Sequence, residues 1–557
     1  MPTINLGKVR FTWRAEYDNA NAYEENDVTN YNGTTYIAIA DVAAASPLNP
    51  STDTNFEVFA QGVNDVATTD GDILYFNGTS LTRLPIGTAG EVLKVNATGE
   101  PEWTTNTVRK GTRVASLTRQ PNSYNYDRGL VSMQDGTLRS WGMGASNMLG
   151  QGQGVSNRTY PGYVAFPPGT AAIQDNKFYQ DYNAASAAID ADGNFWTWGL
   201  NAQGQCATGN TTTQYVPFNA SASASNSLNG KIADAAWAGT SSGAEPSWHV
   251  LCTDGTLHAV GDNDRGQLGQ GDTTQRNLFG QVPVLTGITK VAVGEQANKH
   301  VLALKVDGNT NYVYSWGYNG MGQLGHGNTT QMNIPMQIQY FNTNSIKIVE
   351  VYANYHSSWC LADNGDLYSF GDNPDGQLGV GSTTDQYTPT LCQSDVAEVW
   401  VGRHAQNSVF IKKTNGQIWA CGENGSQQLS ASGTTVDQSN FVRCKYPDGS
   451  YLGSDCVKFI PGYNQTYMLK DNGTVWAVGY NASINLGLGD TVLRPYFEQM
   501  PIHRRTATDI SIIGNSTTEG LLILLDDGQL LSVGPGASNQ TADDDAESNY
   551  VPTPVIF

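Results

Sequence analysis

One glycine-rich loop recurs along this chain. The segment GDNDRGQLGQGDTT begins at residue 261, and close copies follow as GYNGMGQLGHGNTT from residue 317 and GDNPDGQLGVGSTT from residue 371. The Gly that opens the loop recurs at spacings of 51 to 62 residues, at Gly142, Gly199, Gly261, Gly317, Gly371, Gly422, Gly479 and Gly534. Self-similarity at such a period indicates a repeat architecture. Most of the 557 residues are therefore predicted to form one array of eight repeats.

Each repeat carries a short hairpin ahead of the loop. In seven of the eight repeats a second Gly, preceded by Asp or Asn, lies six residues before the opening Gly. Asp-Gly and Asn-Gly between apolar stretches are typical of tight hairpin turns, because these residues tolerate a positive φ. The fourth repeat, VDGNTNYVYSWG, is longer between the two strands. We therefore expect eight hairpins, the fourth of them extended.

The strand between the two glycines is apolar on both faces. One face carries a large residue and then a small one, such as Leu257 and Ala259, and the other carries bulky pairs such as Trp196 and Trp198. Such a strand must be covered on both faces, and large residues packed against small ones allow neighbouring sheets to interdigitate. Sheets stacked around an axis, as in a β-propeller, meet both needs. The repeated loop is interpreted as a chain crossing that every blade needs. A phosphate-binding loop would be followed by a helix, and no helix pattern follows this one.

These repeats resemble those of the regulator of chromosome condensation family. The family signature, an aromatic residue and Gly followed by Asn-x-x-Gly-Gln-Leu-Gly-x-Gly, is met in full at 316–327 and nearly at 261–271 and 370–381. The resemblance covers residues 108–557 and implies a β-propeller, which in that family usually has seven blades. We predict an all-β chain with small N-terminal β modules and a large propeller of eight blades, seven being the alternative. The closing PTPVIF is expected to pair with the first blade and seal the ring.

Residues 1–62 lie outside the repeats. The stretch NYNGTTYIAIA predicts a hairpin around Asn32 and Gly33. The segment resembles small chitin-binding carbohydrate-binding modules, which also occur at the heads of phage tail fibres and are expected here to attach to a virion. The resemblance implies that Trp13, Tyr31 and Tyr36 are candidate carbohydrate-stacking residues. The same rings could instead form the core of a very small domain.

Residues 63–107 contain GDILYFNGTSLTRLPIGTAGEVL, which resembles the shaft repeats of bacteriophage tail fibre proteins. The pattern predicts two short β-hairpins with too few residues to bury their own apolar side chains. The resemblance implies that identical chains wind together, and we expect a homotrimer that forms through the N-terminal region.

Charge and composition exclude several functions. The chain has 30 basic and 51 acidic residues and a net charge of −21, which disfavours nucleic-acid binding. Its longest apolar run, Leu521–Leu525, is too short to span a bilayer, and its first residues lack a signal-peptide pattern. Seven Cys without a CxxC pair predict reduced thiols rather than a zinc site. We therefore expect no metal, no cofactor and no membrane insertion.

Candidate catalytic residues are few. His249, His300, His356 and His404 lie near the start of the hairpins, and His residues at a repeat-fixed position are interpreted as hydrogen-bonding residues. A glycosidase would need two carboxylates at a defined separation, and no pair stands out among the 51 acidic residues. The chain is therefore predicted not to be an enzyme and to have no catalytic residue.

Together these features predict a structural virion protein, a tail fibre or spike that mediates recognition of the host-cell surface. It would be made in the host cytoplasm without a signal peptide and reside in the virion. Its partners would be other tail proteins and a host surface polysaccharide or receptor, contacted by inserts at 153–180, 217–230 and 538–549. Two alternatives stay open: a fibre-borne polysaccharide-degrading enzyme, and an intracellular propeller that acts as an interaction or exchange-factor protein.

Overall fold

The computed structural model describes the backbone of eight short strands within residues 12–105, and residues 113–557 with internal gaps. The gaps are residues 119–127, 156, 181–184, 223–227, 239–245, 284, 295–298, 309, 403–406, 432, 503, 515–518, 537–541 and 543–547. The chain divides into two compact units, residues 1–108 and 109–557. Each unit is described by itself.

The first unit contains one four-stranded sheet and two hairpins. The sheet is formed in chain order by β1 Thr12–Glu16, β2 Asp27–Tyr31, β3 Thr34–Ala38 and β4 Phe56–Gln61, and the hairpins by β5 Ile73–Phe76 with β6 Leu81–Leu84 and by β7 Glu91–Val95 with β8 Pro101–Thr105. Strands β1 and β2 are parallel, whereas β2 and β3 form the hairpin around Asn32 and Gly33. Trp13, Tyr31 and Tyr36 lie on β1, β2 and β3, and their side chains are outside the described residues.

The second unit consists of eight four-stranded antiparallel sheets, each built from four consecutive strands. Blades 1 to 4 are β9 Val114–Leu117, β10 Arg128–Met133, β11 Leu138–Gly142 and β12 Arg158–Tyr163; β13 Ile173–Gln180, β14 Ala185–Asp190, β15 Phe195–Gly199 and β16 Gln214–Asn219; β17 Ile232–Ala238, β18 Ser247–Cys252, β19 Leu257–Gly261 and β20 Arg276–Gln281; and β21 Ile288–Val293, β22 His300–Asp307, β23 Thr310–Gly317 and β24 Met332–Gln337.

Blades 5 to 8 repeat this order. They are β25 Ile348–Asn354, β26 Ser357–Ala362, β27 Leu367–Gly371 and β28 Gln386–Gln393; β29 Val396–Val401, β30 Ser408–Lys413, β31 Ile418–Gly422 and β32 Gln438–Arg443; β33 Cys456–Pro461, β34 Gln465–Lys470, β35 Val475–Gly479 and β36 Arg494–Gln499; and β37 Ala507–Ile513, β38 Gly520–Leu525, β39 Leu530–Gly534 and β40 Asn549–Pro554. The fold is an all-β propeller of eight blades, as predicted, and in blade 4 the hairpin strands are the longer ones expected.

The ring does not close in the way the sequence suggested. The last strand, Asn549–Pro554, pairs with β39 of its own blade and not with the first blade, so that prediction was wrong. Blades 8 and 1 are joined by side-chain packing and by one backbone bond, in which the Val114 N–H donates to the Gly528 carbonyl at 2.9 Å. An Arg113–Asp527 ion pair at 3.1 Å lies beside it. Hydrophobic burial between sheets therefore completes the ring without a shared strand.

The glycines of the repeated loop allow close contact with the next blade. Gly322 has a φ of +77°, and a Cβ there would lie 2.9 Å from the Cα of Tyr387 in the following blade. Gly325 has a φ of +72°, and its Cβ would lie 2.9 Å from the ring of Phe370. L-amino acids other than Gly rarely adopt this backbone conformation, and there is no room for a side chain. The close contact between blades therefore requires the glycines of the motif.

In six of the eight loops an Asn side chain holds the loop together through hydrogen bonds. In blade 3 the Asn263 side-chain oxygen accepts the Leu268 N–H at 2.9 Å, and its amide donates to the carbonyls of Asp272 and Thr274. The corresponding Asn residues are Asn201, Asn319, Asn373, Asn424 and Asn481. This pattern satisfies the buried backbone of a turn that has no ladder partners. The Leu five residues after this Asn position is fully buried in every blade that has it.

The small residues of the hairpin strand also support the loop. Their hydroxyls donate to the carbonyl of the buried loop residue: Ser140 to Leu149, Thr197 to Cys206, Ser315 to Leu324 and Ser369 to Leu378. Ala259 has no hydroxyl and packs, fully buried, in a cluster that joins blades 3 and 4. These small residues therefore have two roles. They allow neighbouring blades to pack closely, and their hydroxyls stabilise the loop of their own blade.

The inserts proposed as receptor loops belong largely to the blades. Residues 153–180 include β12 and β13. In the 217–230 stretch Ala220 and Ser221 of the 3-10 turn Ala220–Ala222 are buried, and the Ser221 hydroxyl accepts the Phe195 N–H at 3.1 Å. Most of 538–549 lies outside the described residues. The first two stretches therefore include strands and a buried turn of the propeller and are not simply surface loops. The remaining helices of the described chain are a 3-10 turn, Ala145–Asn147, and one α-helix, Gln339–Thr343.

Candidate functional site

The innermost strands of all eight blades place a polar residue at the same position. The third residue of each first strand is Ser116, Asp175, Asp234, Lys290, Glu350, Glu398, Lys458 or Asp509. In seven blades the pairing with the second strand skips the residue just before it, and in blade 2 the irregularity is longer. A β-bulge re-aims the side chain that follows it. These eight residues, with Lys177 and Lys412 beside them, are called the polar ring.

Ion pairs within the polar ring join neighbouring blades. They are Lys177–Asp234 at 2.9 Å between blades 2 and 3, Lys290–Glu350 at 2.5 Å between blades 4 and 5, and Lys458–Asp509 at 2.5 Å between blades 7 and 8. Between blades 1 and 2, the Ser116 and Ser132 hydroxyls donate to Asp175 at 3.5 and 3.0 Å. Lys412 pairs with Glu398 in blade 6 and donates to the Cys456 carbonyl of blade 7. The ring is therefore a cross-braced rim rather than a set of independent side chains.

The polar ring is accessible to solvent. The side chain of Asp509 is 27% exposed and that of Lys290 is 47% exposed, with most of the paired side chains between these values. Half-exposed ion pairs contribute only about 0.2–1 kcal/mol each to stability. Ring closure therefore gains little from these charges, and they remain available to a binding partner.

A central cavity of about 410 Å³ adjoins the ring. It is lined by first-strand residues of blades 3 to 8, among them Trp237, Tyr352, Trp400 and Phe459, and by Thr118 after β9. Burial raises the pKa of Tyr352, so its hydroxyl stays protonated in this apolar wall. The first strands of the blades therefore surround a channel whose wall is mostly aliphatic, with a few aromatic side chains, and whose mouth is charged.

A second pocket of about 270 Å³ opens between blades 3 and 4. It is lined by Asp234, Lys290 and Glu350 of the polar ring and by Tyr179 and His249. The Tyr179 hydroxyl donates to Asp234 at 2.8 Å. Burial lowers the pKa of His249 to about 4, so this imidazole is neutral near pH 7. The pocket presents fixed charges and hydrogen bonds at the rim.

Buried ionisable groups occupy the opposite ends of the strands, beneath the repeated loops. The Lys299 ammonium is fully buried and lies 2.8 Å from Asp262, whose carboxylate also accepts a hydrogen bond from Gln267 at 2.6 Å. Burial is the largest single effect and works against the Asp262 carboxylate, but the Lys299 charge and the hydrogen bonds from Lys299, Asp264 and Gln267 together outweigh it and hold the pKa of Asp262 below its usual value. Burial raises the pKa of Glu423 to about 7, and the charges of Asp375 and Asp437 add to that effect. These groups fix the loops in place.

The histidines are hydrogen-bonded, but not at a repeat-fixed position. His249 pairs across the hairpin with Ala259, whereas His300 pairs with the loop-opening Gly317 and His356 precedes the strand. The imidazole Nε2 of His249 contacts the Gln267 carbonyl at 2.9 Å, and that of His300 contacts a Ser358 hydroxyl at 2.9 Å. Their shared spacing in the sequence was therefore coincidental. His404 lies outside the described residues.

The remaining candidate residues do not converge on one site. Six of the seven Cys are buried and all are free thiols, and burial raises the pKa of Cys392 and Cys456 to about 12. Within the described part of the chain, no group of three or more His, Cys, Asp or Glu side chains could hold a metal ion. None of the helices formed by the described residues has the length and apolar character to cross a membrane. The prediction that the chain is not an enzyme stays a prediction.

The sequence missed the polar ring. The residues at this position differ in type and charge from blade to blade, so the sequence of one chain shows no shared residue type there. The available signal was positional, namely a polar residue two places after the residue that begins each first strand. That signal becomes visible once the strands of the eight blades are superposed.

Comparison with known proteins identifies the repeats. The family model of the regulator of chromosome condensation (RCC1) repeat matches residues 192–244, 254–304, 311–361 and 364–404. The second unit is therefore an RCC1-like propeller, as the sequence resemblance implied.

Individual relatives are similar over part of their length. The chain is 24% identical to the ultraviolet-B receptor UVR8 of Arabidopsis thaliana over 294 residues, which is 52% of this chain and 61% of UVR8. It is 30% identical to the human E3 ubiquitin-protein ligase HERC2 over 264 residues, which is 45% of this chain and 5% of HERC2. The crystal structure of Prp20p from Saccharomyces cerevisiae matches with 14% identity and a TM-score of 0.47, covering 80% of this chain and 88% of Prp20p.

These relatives overturn the tail-fibre interpretation. UVR8 and HERC2 are cellular proteins of eukaryotes, and nothing in the comparisons supports a virion protein. The predictions of a tail fibre or spike, of virion localisation, and of tail proteins and host polysaccharide as partners were therefore wrong. The homotrimer was inferred from the same fibre resemblance and loses its basis with it. The tail-fibre prediction depended on the resemblance of two short N-terminal hairpins to fibre shafts. Two hairpins are too short a segment to identify the function of the chain.

Proposed function

We propose that the chain is an interaction propeller that binds a protein partner across the mouth of its central channel. The observation that carries the proposal is the polar ring, because all eight first strands place its residues at one position and seven do so after the same bulge. Bulges that recur at one position and re-aim side chains are designed features rather than defects. They produce an accessible, rigid surface around the axis.

The composition of the ring fits a protein surface better than a small ligand. It brings together four cationic side chains and five anionic ones: Lys177, Lys290, Lys412 and Lys458 with Asp175, Asp234, Glu350, Glu398 and Asp509. The ring is therefore nearly neutral in a chain of net charge −21. Charges of both signs distributed around a rim give orientation and specificity to a protein contact. A small ligand would require polar groups that converge on one pocket.

The relatives support an interaction role. By their names UVR8 is a receptor and HERC2 is a ubiquitin ligase, two unlike activities that share these repeats. When proteins with unlike activities share a fold, the fold provides the scaffold and the function depends on the particular sites on its surface. The chain spans 61% of UVR8 and a small fraction of HERC2, so we transfer no activity of either whole protein.

The test is a charge exchange in the polar ring of the full chain. Lys290→Glu together with Lys458→Glu should abolish partner capture, measured by cross-linking and mass spectrometry of complexes formed in cell extract. The exchange Lys290→Glu with Glu350→Lys keeps an ion pair but inverts its direction, and it should weaken capture while preserving the melting temperature. Lys347→Glu is the matched control, because Lys347 is 45% exposed and pairs with Asp363 outside the ring. Equal capture by all variants would refute the channel mouth as the binding surface.

A second measurement separates binding alone from nucleotide exchange. Gsp1p, which Prp20p is described as binding, serves as the probe. The full chain is added to Gsp1p loaded with fluorescent GDP, and nucleotide release is followed over time. Accelerated release that is lost on Lys290→Glu with Lys458→Glu would make the propeller an exchange factor acting through this surface. Binding to another partner without accelerated release would make it an interaction module.

A further inference from the structure

A cleft on the outer edge of blade 6 combines aromatic and cationic side chains. It has a volume of about 450 Å³ and lies along the fourth strand, far from the first-strand residues that form the polar ring. Its lining consists of Trp419, Ala431, Gln438, Phe441, Val442, Arg443, Lys445 and Tyr451. The cleft therefore belongs to a different surface from the channel mouth.

An additional hairpin builds one wall of the cleft. After the outer strand ends at Arg443, the chain makes a bridge between Lys445 and Tyr451 and a tight turn closed by the Tyr446 N–H donating to the Ser450 carbonyl at 2.8 Å. This turn brings the Tyr451 ring over the Arg443 guanidinium, 4.0 Å from it. On the other wall, Trp419 lies directly opposite Arg443 in the strand pairing. Arg443 is thus held between two aromatic residues.

The guanidinium of Arg443 is half-buried, and one of its nitrogens is not hydrogen-bonded within the described residues. Its Nε is buried and lacks a hydrogen-bond partner, and no ion pair within the described part of the chain involves Arg443 or Lys445. The nearest carboxylates in sequence are engaged elsewhere: Asp448 accepts from the Ser450 hydroxyl at 2.6 Å, and Asp437 accepts from the Asn424 N–H at 2.8 Å. An unsatisfied buried N–H is costly, and the half-exposed guanidinium that carries it is accessible to an anionic ligand from solvent.

Lys445 adds a second cation at the rim. Its ammonium lies 5.7 Å from the centre of the Tyr451 ring. A planar guanidinium can bind a carboxylate with two parallel hydrogen bonds, while a neighbouring ammonium attracts further negative charge. The aromatic rings form apolar walls beside both cations, while the rim of the cleft stays open to solvent. In a chain of net charge −21, two adjacent cations without carboxylate partners among the described residues are a local reversal of the surface charge.

We propose that this cleft binds an acidic peptide segment of a protein partner, with one carboxylate on Arg443 and a second near Lys445. The aromatic side chains of Trp419 and Tyr451 would pack against the aliphatic part of the bound side chain. This site is independent of the channel mouth, so the two proposals can fail separately.

The test is binding of a fluorescein-labelled hexaglutamate peptide to the full chain, measured by fluorescence anisotropy at low salt. Hexaglutamate should bind and hexaglutamine should not, and added salt should weaken binding because the cleft is open to screening. Arg443→Gln should weaken binding at least tenfold and Lys445→Gln several-fold. Lys347→Gln removes an exposed positive charge elsewhere and should leave binding unchanged.

Several outcomes would overturn the proposal. They are absence of hexaglutamate binding, equal binding by Arg443→Gln and wild type, and loss of binding on Lys347→Gln. If Arg443→Gln does not fold, Lys445→Gln decides, since its side chain lies at the rim and its loss should not affect folding. Inorganic phosphate is added as a competitor: displacement of the peptide by low millimolar phosphate would make this a phosphate site and refute the peptide assignment.

Discussion

Glu519 offers the sharpest test of how the propeller is held together. Its side chain is fully buried at the seam between blades 7 and 8. One carboxyl oxygen accepts the Tyr463 N–H at 2.7 Å and a hydrogen bond from the Gln465 amide, and the other oxygen has no hydrogen-bond partner within the described residues. Burial disfavours the charged form more strongly than these two donors favour it. The pKa of Glu519 is therefore raised from 4.5 to about 8.

This raised pKa makes the stability of the propeller depend on pH. Below pH 4.5 both the folded and the unfolded chain hold the proton, and Glu519 contributes no pH dependence. Between 4.5 and 8 only the folded state holds it, so the free energy of unfolding falls as the pH rises. At 1.36 kcal/mol per pKa unit, the loss is about 3 kcal/mol by pH 7 and about 5 kcal/mol by pH 8. Above pH 8 the loss is complete.

The perturbation is Glu519→Gln, which resembles the protonated acid in shape but cannot ionise. Its stability should be independent of this titration, so its advantage over the wild type should grow with pH to about 5 kcal/mol at pH 8. Urea unfolding at pH 5, 6, 7 and 8, followed by tryptophan fluorescence, measures the difference between the two chains. Glu498→Gln is the control, because this carboxylate is 43% exposed and paired with Arg494 on the outer strand of blade 7.

The slope with pH is the decisive quantity. An unsatisfied amide in Glu519→Gln would lower stability by a constant amount at every pH and leave the predicted divergence intact. Parallel pH profiles for the wild type and Glu519→Gln between pH 5 and 8 would show that the buried carboxyl does not stay protonated, and the reasoning would be refuted.

Three further predictions concern the frame of the propeller. Gly322→Ala should destabilise by about 2 kcal/mol or more through its positive φ and the contact with the next blade, whereas Gly425→Ala, where no contact closer than 3.7 Å arises, should have little effect on the melting temperature. Lys299→Met should cost about 3–5 kcal/mol by leaving Asp262 charged and buried, and adding Asp262→Leu should recover most of that loss in denaturant unfolding. Ala259→Trp should overpack the seam between blades 3 and 4 by about 1–3 kcal/mol, and an unchanged melting temperature would contradict the stacked-blade packing.

The hairpins and the blades could be predicted from the sequence because the repeated residues determine local backbone conformation. The paired glycines mark positive-φ turns, and the alternation of Leu257 and Ala259 marks a strand covered on both faces, so the repeat pattern predicted eight blades while seven stayed the alternative. Those rules act within a dozen residues. For the same reason the sequence was a poor guide to function: the fibre-like appearance of two N-terminal hairpins was a local likeness, and the propeller's relatives contradict it.

Only the tertiary structure decided how the ring closes and where its surfaces lie. Strand Asn549–Pro554 has the same pattern whether it pairs with blade 8 or blade 1, so its partner depends on packing across the ring. The polar ring brings residues as distant in sequence as Ser116 and Asp509 around one axis, and its charged members alternate between Lys, Asp and Glu without a common motif. The cleft around Arg443 depends on a hairpin that lays Tyr451 across it. Sequence patterns determine local conformation, but sites formed by distant residues depend on how the blades pack together.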